Sequence, residues 1–482
     1  MSAKQADHYK TFVGMKETLT AFQRSLHMPE DVKKGPAYAG NQITTPFYKQ
    51  YKKATWYYHF DQPLDATMPD VVDNHEGCTY TVQSRPHGLL KTDLCQELPP
   101  VVCNPGYEAA WTYNVGSNIM VDGTMIFNDV RLQYVDQIYN DGFGQSGIPE
   151  DQRTDYEKNL GNIGMLGTWQ DVLPKFITSY APPWFYSKDL SNYFPLYFCG
   201  FLDKVIHRIS LRRNIGDLLR VREKDTGKLV PVDPISIKSI NGRPVSEVSI
   251  KLQPPIMYGQ FLYLTEDECS YNRCADSGEK RNILHVEDIY ADQTRNPVRL
   301  DTSYEFKINN TEYPVHNIMW MAQNETAKAE NYYSNYTTNP SDHASGWSPL
   351  ESITINPGRG PIVQNMPGWR TERVHPGRQN ICSPKVQGMG FWSPAVRASE
   401  HNAVPGIVFK NGSITINLKD SNSFIGLKYD EKASTDLFTI HIRLVYLKRV
   451  VFKDYPRDEA DRTSKRSVVE IQGAESEEKK SS

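Results

Sequence analysis

Apolar and polar residues alternate one by one along stretch after stretch of this chain, and that period leaves little choice of fold. In the run Val205 to Arg212, Val205, His207, Ile209 and Leu211 share one face, and Arg208, Ser210 and Arg212 the other. Near the C-terminus, Phe438, Ile440, Ile442, Leu444 and Tyr446 face one way and Thr439, His441 and Arg443 the opposite way. From Ile119, the residues Ile119, Val121, Met125 and Phe127 are expected on one face, against Asp122, Thr124 and Asn128. A period of two is what a strand with one buried face requires. Turn-forming clusters separate the runs: Asn104-Pro105-Gly106, Asp122-Gly123, Asn140-Asp141-Gly142 and Pro182-Pro183. Short alternating strands between such clusters predict an all-β sandwich or barrel.

A chain of 482 residues is too long for one hydrophobic core, which stops growing at roughly 250–300 residues. Two β domains are therefore expected. The first covers 42–230 and the second 246–453, with a Gly- and Pro-bearing linker over 231–245. Residues 324–404, rich in Asn, Ser, Pro and Gly but holding Trp347, Trp369 and Trp392, read as a long loop insertion in the second domain. Residues 454–482, charged and ending in ESEEKKSS, read as a flexible tail. In the segment 1–41, Phe12, Met15, Leu19, Phe22 and Leu26 recur at three- and four-residue spacing, which predicts an amphipathic helix ended by Pro29. A second helix is expected from Pro149 to Leu160, with Pro149 at the first helical position and Glu150 and Asp151 in the first turn. Asn411-Gly412, between two apolar runs, predicts a tight hairpin.

The formal net charge of −3 lacks the basic bias of a duplex-binding protein, so no direct nucleic-acid contact is expected. The 28 Tyr, 18 Phe and 8 Trp supply enough apolar area to make disorder over most of the chain untenable. No run of about 18 apolar residues predicts a membrane span. The N-terminal MSAKQADHYK has no signal-peptide pattern, so a cytoplasmic site of synthesis and assembly is expected. The seven cysteines, Cys78, Cys95, Cys103, Cys199, Cys269, Cys274 and Cys382, are expected mostly as buried thiols. Cys269 and Cys274 are close enough to bridge, which sequence proximity alone does not settle.

Motifs that would carry chemistry are weak. Gly142-Phe143-Gly144-Gln145-Ser146-Gly147 matches the dinucleotide-loop spacing, but the polar IYND precedes it and Ile148-Pro149 follows, where a buried strand and a helix are needed. His75-Glu76-Gly77-Cys78-Thr79 lacks the second histidine of a zinc-protease helix. Neither His75 with Cys78 nor Cys95 with Cys103 is half of a four-ligand zinc spacing. His207 reads as a core histidine. Of the sequons at Asn309, Asn324, Asn335 and Asn411, the second and third are the better glycan acceptors, since they lie in the polar segment. No catalytic, cofactor-binding or metal-binding residue is assigned, no cofactor is expected, and the chain is not expected to be an enzyme.

Thr45-Pro46-Phe47 with Thr55-Trp56, then Arg85-Pro86-His87-Gly88-Leu89-Leu90, then Leu98-Pro99, resembles the opening of the major capsid proteins of large icosahedral DNA viruses, the chlorovirus, iridovirus and marseillevirus shells. The similarity continues in order through Phe127-Asn128-Asp129, YFPLYF from Tyr193, QFLYLTEDE from Gln260, NILHVEDIYADQ from Asn282 and YPVHNIMWMAQNE from Tyr313. The resemblance implies two consecutive eight-stranded jelly rolls, a double jelly roll, with long loops gathered at the sandwich ends. It also implies a homotrimer with a pseudo-hexagonal outline that contacts neighbouring capsomers in a virion shell. Minor capsid proteins, through the N-terminal helix, and an internal membrane beneath the shell are the further partners it implies. Two rival readings are a scaffold of membrane assembly with the same fold and a carbohydrate-binding sandwich that uses Trp347, Trp369 and Trp392 for sugar stacking.

Overall fold

The computed structural model describes residues 58–67, 76–82, 87–188, 192–245, 251–264, 269, 283–309, 313–379, 382–395, 406–419, 436–455, 463–464 and 466–472. The helix expected before Pro29, the arm to residue 41 and the Thr45–Trp56 motif lie outside them, as does Cys274.

Two sandwiches follow one another along the chain. In the first, β1 (Tyr58–Pro63), β2 (Glu76–Val82), β3 (Gly88–Leu98), β4 (Met120–Phe127), β5 (Val130–Asp136), β6 (Phe176–Tyr180), β7 (Val205–Leu211) and β8 (Ile256–Tyr263) make two sheets. One has the order β1-β8-β3-β6; the other runs β2-β7-β4-β5, with Asp65–Thr67 added beside β2. In the second, β9 (Ile283–Gln293), β10 (Ser303–Ile308), β11 (Val315–Asn324), β12 (Leu350–Asn356), β13 (Val363–Pro367), β14 (Met389–Trp392), β15 (Gly412–Leu418) and β16 (Leu437–Asp454) repeat the scheme. Their orders are β9-β16-β11-β14 and β10-β15-β12-β13. Every named pairing is antiparallel. The same interleaved order in both halves is jelly-roll connectivity, and the fold is the all-β double jelly roll expected from the sequence.

The alternation produces these sheets directly. In β7 the residues Val205, His207, Ile209 and Leu211 are buried, and in β16 Phe438, Ile440, Ile442 and Leu444 are fully enclosed. The second core joins these β16 residues to Ile353 and Ile355 of β12, Ile414 and Ile416 of β15, and Trp320 of β11. In β4 the expected parity holds from Gly123 onward, but the pairing skips Val121, so Met120 enters the core and Val121 stands half out. A bulge of this kind inverts the faces on one side of it. β4 and β5 are joined by Asn128 and Asp129 alone, at φ 45° and 71°. A two-residue turn matched to strand twist needs positive φ at both positions, which Asn and Asp tolerate best.

Four boundary expectations change. The strand β8 belongs to the first sandwich, hydrogen-bonded between β1 and β3, although its sequence position suggested the second domain. A jelly roll places its last strand between its first and third, so the chain returns to the first sandwich before leaving it. The stretch 231–245 is not a passive linker, since Ile237–Ile240 pairs with Val101–Cys103. The segment 324–404 is not one loop: it contains β12, β13 and β14, and Ile353 and Ile355 are core residues. Asn, Pro and Gly around these short strands diluted their alternation. Part of the expected tail is ordered, because Val468–Gln472 pairs with β16, and Ser467 is buried with its amide donating to Asp203 Oδ1 at 3.0 Å.

The Asn411-Gly412 hairpin does not form. Asn411 takes φ 54°, but of the run before it only Ile407 bridges, and it bridges Val315. β15 pairs instead with β10 and β12. The expected second helix is present as Glu150–Asn159, with Pro149 one position earlier, at the N-cap.

Ile416 is fully buried between the second sandwich's sheets. Ile416→Ala should cost about 2–5 kcal/mol through lost burial and a residual cavity, read as a lower urea midpoint. A loss under about 1 kcal/mol would mean that the two sheets do not enclose it.

Candidate functional site at the junction of the two sandwiches

The strand β5 ends in Asp136, and helix α1 (Gln137–Ser146) starts there because the Asp136 carboxylate accepts the Tyr139 amide at 2.9 Å. A carboxylate at this position both satisfies a helix-end amide and favours the positive end of the helix dipole. The same carboxylate receives Arg443 Nε from β16 at 2.8 and 3.1 Å. Arg443 also donates to the carbonyls of Asp292 and Ile442, at 3.0 and 2.7 Å. Both side chains are nearly enclosed, 6% exposed for Arg443 and 11% for Asp136.

Beside this pair, Asp288 of β9 has no exposed side-chain surface. It accepts the Tyr134 amide of β5 at 2.7 Å, Arg131 at 3.2 Å and the Tyr446 hydroxyl at 3.1 Å, and it pairs with Lys448. Its neighbour Glu287 pairs with Lys188, which donates to Tyr139 Oη at 2.6 Å. Burial alone would lower the Lys188 ammonium, but Glu287 and Tyr139 more than offset it and hold it above its ordinary value. The acids of β9 thus meet cations from both sandwiches.

Helix α1 lies on the outward face of the β9-β16-β11-β14 sheet. A Cβ at Gly142 would come within 2.5 Å of Met321 Cε and 3.0 Å of Met319 Sδ on β11. The glycine that suggested a nucleotide loop is therefore a packing glycine inside a helix, and no strand-to-helix phosphate turn exists there. Further along the junction, Tyr336 Oη donates to Asp141 Oδ2 at 2.7 Å, Asn118 Nδ2 to Ser334 Oγ at 2.9 Å, and Asn331 Nδ2 to the Gly216 carbonyl at 2.6 Å. Burial pushes the Asp141 carboxyl up to about 6, against the lowering hydrogen bond from Tyr336. In the second sandwich, burial raises Glu372 from 4.5 to about 7, opposed by its bond from Ser348.

The sequence-based site readings resolve individually. His207 is fully buried, its Nε2 2.8 Å from Tyr186 Oη, and burial lowers it to about 3. Cys78, Cys103, Cys199, Cys269 and Cys382 are buried, and Cys95 is half-buried. Among the described residues no group of three or more His, Cys, Asp or Glu could hold a metal ion. Asn324 and Asn335 are fully enclosed, so neither presents an amide for a glycan. Asn324 caps the helix Glu325–Ala329, accepting the amides of Thr326 and Ala327, and Asn335 donates to the Asn339 carbonyl at 2.8 Å. Trp392 lies in the core, while Trp369 is 49% exposed, so the three tryptophans form no common stacking surface. The ionic residues of the junction were not singled out. The signal was Glu287-Asp288 within the apolar run ILHVEDIY, because adjacent acids inside a buried strand require partners.

No family model matches the chain. It is 24% identical over 314 residues to the major capsid protein of Simulium iridescent virus, a match covering 62% of this chain and 63% of the relative. It is 26% identical over 320 residues to the major capsid protein of Frog virus 3 (isolate Goorha), covering 62% and 64%. The chain thus spans a little under two thirds of the length of the curated relatives it matches. Among solved structures, the Faustovirus major capsid protein superimposes with a TM-score of 0.61 at 7% identity, over 88% of this chain and all of that one. VP54 of PBCV-1, fitted into a reconstruction of the virophage Sputnik, gives 0.59 at 11% identity, over 86% and 97%.

Arg443→Met should cost about 3–5 kcal/mol by leaving Asp136 buried without its cation. Asp136→Leu combined with Arg443→Met should recover most of that loss, measured as a double-mutant cycle by urea unfolding. Additive losses would mean that the two side chains are not coupled. For Glu372, the folded state holds the proton more tightly than the unfolded chain. Its contribution to stability is therefore full below pH 4.5 and declines as pH rises to about 7. Glu372→Gln should flatten that slope in thermal melts taken from pH 4.5 to 7.5.

The chain is similar in sequence to the major capsid proteins of iridescent viruses and ranaviruses and shares its fold with those of PBCV-1 and Faustovirus.

Proposed function

We propose that this protein is the structural subunit of an icosahedral viral capsid, assembling as a homotrimeric capsomer with a pseudo-hexagonal outline that tiles the shell. One observation carries the reading: two jelly rolls of identical strand order are locked together within one chain by buried ion pairs, Arg443 with Asp136 and Lys188 with Glu287. Two like bodies per chain become six in a trimer, and a six-sided block tiles a surface without gaps. The named relatives and the shared fold support the same reading.

The virion is then the place of function, with synthesis and assembly in the host cytoplasm. The segment 1–41 then serves to contact minor capsid proteins or a membrane beneath the shell. Neighbouring capsomers contact the flanks of the block, and no catalytic step is assigned to the chain.

Native mass spectrometry of the purified protein should give a trimer, and negative-stain micrographs a hexagonal outline. A stable monomer at micromolar concentration would overturn the reading. Deleting residues 1–28 should leave the trimer intact and impair shell assembly.

A further inference from the structure

The acids at the junction of the two sandwiches are not all matched in the same way. Asp136 pairs with Arg443, Glu287 with Lys188 and Asp288 with Lys448. Asp141, in the middle of α1, pairs with no cation among the described residues, although it is only 3% exposed. A buried carboxylate without a cation escapes the cost of its charge by taking up a proton.

What reaches Asp141 instead is neutral, and it comes from both halves. From the first sandwich, Asn114 Nδ2 donates to Oδ1 at 3.4 Å. From the second, Tyr336 Oη donates to Oδ2 at 2.7 Å, and the Ser334 hydroxyl adds a further hydrogen bond. Arg212, just after β7, acts on it only through space. Its guanidinium donates to the Asn118 carbonyl and to Gln137 Oε1, both at 2.8 Å, and lies over the Tyr333 ring. Glu157 lines the same crevice as Asp141 and is committed to Lys385 at 3.4 Å. The phenols of Tyr113, Tyr156 and Tyr180 are within electrostatic reach, and burial raises each of them, so all three stay uncharged. An acceptor for an acid proton is at hand: Asn140 Oδ1 is buried without a hydrogen-bond partner and lines that crevice.

We infer that Asp141 is a proton-operated latch between the two sandwiches. Protonated, it holds α1 and Asn114 of the first to residues 334–336 of the second; ionised, it loosens them. The latch is a property of the single chain and works whether or not chains assemble. Burial raises the Asp141 carboxyl from 3.8 to about 6, against the lowering hydrogen bonds from Tyr336, Ser334 and Asn114. The closed junction therefore binds the proton more tightly than the opened one. Its contribution is full below pH 3.8 and is lost as pH rises to about 6. From pH 7.5 to pH 5 the closed form should gain about tenfold over the open one.

Hydrogen–deuterium exchange of the full chain, read by mass spectrometry on peptides covering 137–146 and 331–337, tests the latch. With rates corrected for the pH dependence of intrinsic amide exchange, both peptides should be about tenfold better protected at pH 5 than at pH 7.5. Asp141→Asn, which cannot ionise, should give each peptide the same protection at both pH values. Tyr336→Phe removes a donor that favours the charged form, so it should move the midpoint of the step to higher pH. Glu372→Gln should leave the step in place, which separates it from the other raised carboxyl. Equal protection of the wild type at the two pH values overturns the inference, and so does a step that persists in Asp141→Asn. Where Asp141→Asn fails to fold, the Tyr336→Phe midpoint decides: an upward shift bears the latch out, and an unmoved midpoint overturns it.

Discussion

The structure depends on charges that neither sandwich could bury alone. Asp288 has no exposed side-chain surface and takes hydrogen bonds from the β5 backbone and from Arg131, Tyr446 and Lys448. An isolated carboxylate in that position would cost several kcal/mol in lost hydration. It is tolerable only when β5 of one sandwich and β16 of the other are both in place. The same holds for Asp136, which starts α1 and receives Arg443 across the junction. Buried ion pairs are weak evidence of net stability, since apolar residues of similar volume often do as well. Their better-attested use is to select one arrangement among many. A hydrophobic contact between two sandwiches can slide, whereas a carboxylate with four directional partners cannot. For a subunit that must present fixed edges to its neighbours, a defined angle between its halves matters more than another kcal/mol.

The duplicated strand order gives that fixed angle its significance. β5 leads into α1, α1 covers the outward face of the second sandwich, and the second sandwich has its own copies of the donor segment and the acceptor face. Within the chain the donor and acceptor are used once each. After β13, Ile362 and Trp369 are exposed while Thr371 and Glu372 are buried against their own sandwich, and on β1-β8-β3-β6 Ile177, Ile256 and Tyr258 are exposed. Scattered exposed apolar residues are ordinary in a soluble protein.

Much of the fold was legible in the sequence because a half-buried strand announces itself residue by residue. The Val205 run and the Phe438 run fell on the faces the alternation assigned. What failed to show were features set by partners distant in sequence. The place of β8 in the first sandwich is a matter of topology, and the local pattern of Ile256–Tyr263 is the same whichever sheet receives it. β12 hid inside an Asn- and Pro-rich segment because seven residues of alternation weigh little against the composition around them. The bulge at Val121 inverted one face, and the adjacent Asp122-Gly123, which suggested a turn, lies within the strand. The Asn411-Gly412 pair gave the right backbone at Asn411 but the wrong strand partner, since a turn constrains dihedrals and not what the chain pairs with afterwards. The junction was the least legible part. Arg443 reads from sequence as a residue of the face opposite Phe438, Ile440 and Ile442, and only the approach of β5 makes it a buried one.

The two faces also differ in chemistry in the way their histories require. The face covered within the chain is buried in the folded subunit. It can therefore hold methionines and buried charges, Met319, Met321 and Arg443, each matched to a fixed neighbour. The face left open must remain soluble on the unassembled subunit. A continuous apolar surface of several hundred Å² there would aggregate. The register instead places Asp93 and Glu97 directly across from Tyr258 and Ile177, so acids interrupt the exposed apolar residues from strand to strand. Contacts between separately folded chains are characteristically of this kind, an apolar centre within a polar rim. The composition of the β1-β8-β3-β6 face is neither core-like nor plainly solvated, because exposed apolar and charged side chains face one another across its strands.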